Sequence, residues 1–579
     1  MMIADDIDNG TNTDSPISTS SIFFDQAESV RDILMASPGG KSYNYERVYL
    51  DAHRLEYTGS GACYPTAKAK MMKHFNDGVG FTNYLGHASP TAWTADKLLE
   101  WNDINSFTNK NLTFLFGGTC SFAYWDCSTV SGGEVLLLNP TAGTIGMIMP
   151  SRAVWINGNY ATNAGIAREI FNYDDQGRQL SVGEAFRRGM NAYRSDNSLK
   201  YCLISDPALK LPLPTRSVEI SSINGKTLSD DPADFPVIPA LGKVSVEGFI
   251  ANPDGTADES FNGIIDLTLY DAETVVETSG LGRGLERTFN ERSSRLTSIA
   301  VKVEKGHWKT TLSLPAEIAN NFSPALISSY AWDNTTGNEA HGRCESLYVY
   351  GFDANAPEDK TPPQITDLYL NSKTFQPGGV VNTNPILFAK LFDASGINIS
   401  DAAIGHQLSL TLDGTKIFTD LNGYFTTDPE KEGAGSLCYP LENLTPGKHT
   451  LLLTVWDNAN NQASSEIEFN VGAALDPVIT GLGTNVNPAS TSVIFTLTLD
   501  RPNTHLDCEL DVFDLSGRKV WSNHGAVTTN MESTTSMDWD LRDTSGTRVP
   551  RGIYLYRATV RTPEGTWSSQ TRKLAVTAQ

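Results

Sequence analysis

No run of about 18 apolar residues occurs in this chain, which excludes a membrane-crossing helix by the length a bilayer demands. No Cys-x-x-Cys pair occurs among the seven cysteines, Cys63, Cys120, Cys127, Cys202, Cys344, Cys438 and Cys508, which argues against zinc ribbons and dithiol redox motifs. An odd, dispersed set also argues against a disulfide framework and leaves at least one thiol free. Positive charge is scarce: 44 Lys and Arg stand against 67 Asp and Glu, a formal net charge of −23. Such a surface repels phosphate and speaks against a nucleic-acid partner. It suits a secreted or surface protein, and equally any soluble acidic one. Gly-rich phosphate loops and metal-ligand spacings are missing too, so no cofactor is expected. The opening residues Met1 to Asp6 lack the basic-then-apolar order of a secretory signal.

What is present is globular. Hydrophobic residues make up 40% and charged residues 19% of 579, enough chain for three to five domains of roughly 100–200 residues each. Residues 1–212 alternate strand and helix patterns. Val48 to Leu50, Phe81 to Leu85, Leu112 to Phe116 and Thr144 to Met149 read as strands. Ala67 to Phe75 reads as a helix ending near Gly78, and Ser131-Gly132-Gly133-Glu134 and Ser181-Val182-Gly183-Glu184 carry the Ser-x-x-Glu spacing of a helix start. This alternation predicts an α/β domain with a mainly parallel sheet. Beyond residue 212 short β-branched and aromatic runs broken by Gly, Pro, Asn and Asp predict β-sandwich, immunoglobulin-like modules at 213–355, 360–472 and 480–579. Pro-containing breaks at Asn355 to Pro363 and Asp476 to Pro488 separate them. In the last module Leu506, Cys508, Leu510 and Val512 alternate with Asp507, Glu509 and Asp511, a strand with one apolar face.

The chemistry lies between residues 80 and 135. Two apolar strands end at Gly86-His87-Ala88-Ser89 and at Gly117-Gly118-Thr119-Cys120. In a parallel sheet, ligands bind outside those strand ends. A cysteine there is a nucleophile as thiolate, and an imidazole beside it takes the proton. The backbone N–H groups of Ala88 and Cys120 are the expected donors to a developing oxyanion. The competing reading is a buried structural thiol and a hydrogen-bonded loop histidine. Among acidic neighbours Asp5, Asp6, Glu28 and Asp51 are available. Asp6 is preferred as the histidine's partner because it follows an apparent strand. The alternative is that Asp5, Asp6 and Asp8 cap a loop or hold a structural calcium ion. His53 and His74 follow no apolar strand, and Cys127 reads as a structural thiol.

Strand–Gly–His, a crossover, then strand–Gly–x–Cys resembles the caspase clan of cysteine peptidases, and Gly86-His87-Ala88-Ser89 followed by Thr91-Ala92-Trp93 is similar to its gingipain family. Thr119-Cys120-Ser121-Phe122, Arg152-Ala153-Val154-Trp155, Asn159, Asp206-Pro207-Ala208-Leu209 and Ala4-Asp5-Asp6 extend the likeness to the branch that serves as the sortase of type IX secretion. Asp393-Ala394-Ser395-Gly396-Ile397-Asn398, Ile404-Gly405-His406 and Trp456-Asp457-Asn458 carry it past the first domain. The pattern departs at Ala88, where the family has glycine.

The resemblance implies a caspase/gingipain-like catalytic domain with a His87–Cys120 dyad and Trp155 lining the substrate pocket. It implies protein substrates with C-terminal sorting domains, type IX components of the outer membrane as partners, a lipopolysaccharide acceptor and a cell-surface location. It also implies a signal peptide and a further α/β subdomain upstream, so the chain is read as part of a longer protein. The last module, with Gly552-Ile553-Tyr554-Leu555-Tyr556 and Lys573-Leu574-Ala575-Val576, resembles the sorting domains of type IX cargo. Two other readings stay open: a general secreted peptidase, and a non-catalytic surface adhesin with a decayed peptidase domain.

Overall fold

Short apolar runs in the first 212 residues assemble into one six-stranded sheet. The computed structural model describes residues 1–6, 22–59, 61–280, 286–354, 356, 358–419, 421–472, 479–499, 505–528, 534–562 and 565–577. Asp8 and the break at 473–478 lie outside these. The strands are β1 Met2–Ala4, β2 Arg47–Tyr49, β3 Phe81–Leu85, β4 Thr113–Gly118, β5 Thr144–Pro150 and β6 Tyr201–Ile204, in the order β6-β5-β4-β3-β1-β2. Neighbours run parallel, except that β6 is antiparallel to β5.

Alternation along each strand sends side chains to two buried faces. Met2, Ala4, Phe114 and Phe116 pack under helices α1 (Ile22–Ala36), α5 (Ile156–Ile170) and α6 (Val182–Ala192). Ile3, Tyr84, Leu115 and Met147 pack under α2 (Pro65–Asp77), α3 (Trp101–Asn105) and α4 (Gly132–Leu137). Helix α2 stops at Gly78, whose φ of +92° few side-chain-bearing residues adopt. Ser131 caps α4 in a full capping box with Glu134. Ser181 caps α6, but Glu184 bonds Arg187 and Arg188 instead of reaching back.

Three β regions follow, each with its own core. Strands from Arg216–Ile223 to Asn338–Cys344 form one eight-stranded sheet whose edge strands, Arg295–Val303 and His307–Ser313, are consecutive in the chain. Edges joined by a short turn require the sheet to curl round its core. A hairpin, Thr274–Glu277 with Thr288–Glu291, leaves that sheet and packs on the α/β domain. Its Phe289 is 7% exposed and sits against Phe24 and Tyr49. Around it Lys70 pairs with Glu291 at 2.5 Å, and Ser279 donates to Asp51 at 2.5 Å.

Strands from Gln364–Leu370 to Gln462–Val471 form a four- and a five-stranded sheet, and those from Ile479–Thr484 to Arg572–Val576 a three- and a five-stranded sheet. Leu506, Cys508, Leu510 and Val512 all face the last core. The first two β regions are bonded to each other. Ala300 N–H donates to Thr427 (2.7 Å), Ala316 N–H to the Asn458 carbonyl (2.9 Å), and Arg295 pairs with Asp401 (3.3 Å).

Candidate active site

Strand register builds the site. In the β3–β4 pair Leu85 lies opposite Gly118, and His87 and Cys120 each stand two residues further on. Equal offsets on adjacent parallel strands put both groups in one row at the carboxyl edge. Gly86 N–H still reaches the Gly118 carbonyl at 3.4 Å, so the pairing persists one residue past the strand end. In the β1–β3 pair Ala4 lies opposite Leu85, so Asp6 falls in the row of His87.

The close approach of these strand ends explains the glycines. A Cβ on Gly86 would meet the Asp5 Cβ at 2.6 Å, and one on Gly118 would meet a Leu85 methyl at 2.5 Å.

The His87 backbone is clamped. Its N–H donates to Asp5 Oδ2 (2.8 Å), and its carbonyl accepts from the Tyr84 hydroxyl (2.5 Å) and Thr94 N–H (2.9 Å). Trp93 stacks on Tyr84 at 4.2 Å, and the Phe23 ring meets the imidazole edge-on at 5.2 Å. Cys120 is half-buried, and its thiol reaches the Val154 carbonyl at 3.5 Å. Ser121, in the left-handed region at φ +47°, donates its N–H to Arg152. Such strain persists only where surroundings impose it. Among the described residues neither Ala88 N–H nor Cys120 N–H is donated to a protein acceptor. Helix α4 joins the two loops: Gly132 N–H bonds the Pro90 carbonyl beyond His87, and Gly133 N–H bonds the Phe122 carbonyl beyond Cys120.

Asp5 and Asp6 are both 5% exposed. Burial, then the neighbouring Asp6, holds the Asp5 carboxyl well above the usual range. Burial likewise pushes Asp6 up to about 7, against a hydrogen bond from Tyr64 (2.6 Å). Asp5 therefore touches the histidine loop directly, while Asp6 is bonded to Tyr64. Glu28 pairs with Arg47 and Tyr49, and Asp51 with Ser279, so neither is turned to the row.

His53 bonds Thr66, and His74 lies 3.7 Å from Glu46. Cys127, read from sequence as a structural thiol, is exposed, and all seven cysteines are free. Trp155 is 78% exposed and stands at the start of α5, beside the carbonyl that meets Cys120. Its N–H donates to Asn197 Oδ1 (2.7 Å), and Asn197 and Tyr201 both donate to Asn159. Tyr84, Asn197 and Tyr201 gave no linear signal, because their partners, the His87 carbonyl, the Trp155 backbone N–H and Asn159 on α5, come within reach only in the folded chain.

Residues 1–212 match the model described as Peptidase family C25. A 145-residue stretch is 32% identical to Lys-gingipain W83 of Porphyromonas gingivalis, 24% of this chain and 8% of that protein. Dimeric latent PorU from Porphyromonas gingivalis is similar at 28% identity and a TM-score of 0.33, over 76% of this chain and 41% of that one. The Arg-specific gingipain R structure is similar at 16% identity and a TM-score of 0.29, over 60% of this chain and 66% of that one. The chain thus spans under half the length of PorU and under a tenth of Lys-gingipain.

Proposed function

We propose that residues 1–212, which belong to peptidase family C25, make this chain a cysteine peptidase working through Cys120 and His87. The observation that carries the reading is the shared row of the two groups, two residues past a paired Leu85 and Gly118. His87 takes the thiol proton as the Cys120 sulfur attacks the scissile carbonyl. The undonated N–H groups of Ala88 and Cys120 receive the oxyanion. When the intermediate collapses, the carbon–nitrogen bond breaks and His87 returns the proton to the leaving amine. The thioester then passes its acyl group to a nucleophile whose proton His87 accepts. The Asp5 carboxyl and Tyr84 hydroxyl hold the His87 backbone throughout, and Trp155 covers the substrate beside the sulfur.

The finer reading is a cell-surface sortase with three β modules behind its caspase-like domain, the last two built of two sheets as immunoglobulin-like modules are. It removes C-terminal sorting domains and hands the new C-terminus to an amine of lipopolysaccharide. The likeness to PorU supports it. The test is a peptidyl acyloxymethyl ketone carrying a fluorophore, followed by a cleavage assay with glycine amide as acceptor. Cys120→Ala and His87→Ala should each lose labelling by more than about a hundredfold, and Cys127→Ala should keep it. Labelling that survives Cys120→Ala sinks the peptidase reading. A product that always ends in a free carboxylate, never in the amide, favours a general peptidase.

A further inference from the structure

Three carboxylates meet where the first and second β regions join. Asp359 stands on the connection, Asp393 follows strand Ile386–Phe392, and Asp457 follows strand Gly447–Trp456. One oxygen from each lies within 4.8 Å of the other two. Asp393 is 4% exposed and Asp457 fully buried. Among the described residues no Lys, Arg or His pairs with any of them; Arg295, His406, Lys243, Lys302 and Lys360 around this joint go to Asp401, Glu317, Glu432, Glu304 and Glu358. Adjacent buried anions without a counter-charge are costly.

Asn458 supplies a second, independent observation. It is 3% exposed. Its N–H bonds the Gly396 carbonyl (3.0 Å), and its Nδ2 bonds the Ser395 carbonyl (2.8 Å) and the Ser313 carbonyl (3.3 Å). The amide therefore bridges the Asp393–Gly396 turn and the first β region, one residue after Asp457, and its Oδ1 is buried with no donor. Asn460 Oδ1 and Glu317 Oε2, in the same joint, are buried without donors as well. A surplus of buried acceptors calls for a cation.

We propose that Asp359, Asp393 and Asp457, with the Asn458 side-chain carbonyl, bind a calcium ion that stiffens this joint. An all-oxygen donor set selects a hard cation, and no imidazole or thiolate is there to favour zinc. Opposite ligands on one calcium ion are about 4.6–5.2 Å apart, so three oxygens mutually within 4.8 Å fit a single ion. The ion ties the connection to loops that already hold the first β region, since Asn461 Nδ2 bonds the Asp359 carbonyl and the Asn458 carbonyl accepts from Ala316.

The experiment uses the full-length chain, stripped with chelator. Calcium should raise the melting temperature of a β-region transition by at least about 5 °C, more than magnesium does. Terbium emission excited through tryptophan should rise on binding, because Trp456 adjoins Asp457, and calcium should quench it. Asp393→Asn should lose both effects. Asp401→Asn, in the same joint but outside the cluster, should keep them. No calcium shift in the unaltered chain, or a shift retained in Asp393→Asn, overturns the proposal. If Asp393→Asn does not fold, the unaltered chain decides. Calcium should slow protease cleavage between residues 350 and 365 by about tenfold, and unchanged cleavage overturns the site.

Discussion

At the scale of single residues the acidic pair beside His87 makes the sharpest claim. Folding favours the protonated form of Asp6, whose carboxyl burial pushes up to about 7. Its contribution is fully present below the ordinary aspartate value and is lost as pH rises through about 7. Asp6→Asn removes that loss. Its melting temperature, measured by calorimetry against the unaltered chain, should gain several degrees between pH 5 and pH 8. A parallel pH profile for both proteins would show that Asp6 ionises freely.

Much of this row was legible in the sequence. His87 stands one residue and Cys120 two residues past a glycine at the end of an uncharged apolar strand, and Asp5-Asp6 follows a third. Which of the two aspartates would touch His87 was not legible. The choice depends on the half-turn beyond β1, where Asp5 bonds the His87 N–H and Asp6 bonds Tyr64. Tyr64 is 58 residues away in sequence, and no local pattern reports it.

Among the elements, α4 matters most for the site, because its first two N–H groups hold the two loops that carry His87 and Cys120. Ser131→Ala removes the cap and should cost about 1 kcal/mol in denaturant melts. It should also lower kcat more than KM is changed, since the loops that place both groups loosen together. The Ser-x-x-Glu spacing made this helix start readable. It also predicted a reciprocal box at Ser181, where Arg187 and Arg188 compete for Glu184 and win. Two charged guanidinium donors hold the Glu184 carboxylate more strongly than the neutral N–H of Ser181 can.

The hairpin bearing Phe289 was not readable as a part of the first domain. Its sequence is ordinary β, and its role appears only in its contacts with Phe24 and Tyr49. Phe289→Ala should destabilise the α/β domain by about 3–5 kcal/mol, seen as a lower denaturation midpoint for Trp and Tyr signals from residues 1–212.

For the whole molecule, the two ends of the β series behave differently. Among the described residues the hydrogen bonds and ion pairs of residues 479–577 close within that region, around a core of its own. Deleting it should leave the melting temperature of the α/β domain within about 1 °C, because regions without a shared core unfold independently. A large drop would make the region a wall of the α/β domain. The first β region has no such freedom, since Phe289, Glu291 and Ser279 are built into the α/β domain. This asymmetry bears on how such chains are inherited. A recombination that cuts near residue 212 strands Phe24 and Tyr49 in water and lets the donor gene's product aggregate. A cut near residue 475 exchanges a tail at no cost to the domain ahead of it. A boundary near residue 475 thus cuts through no shared core, while one near residue 212 cuts through the packing of Phe289 on Phe24 and Tyr49.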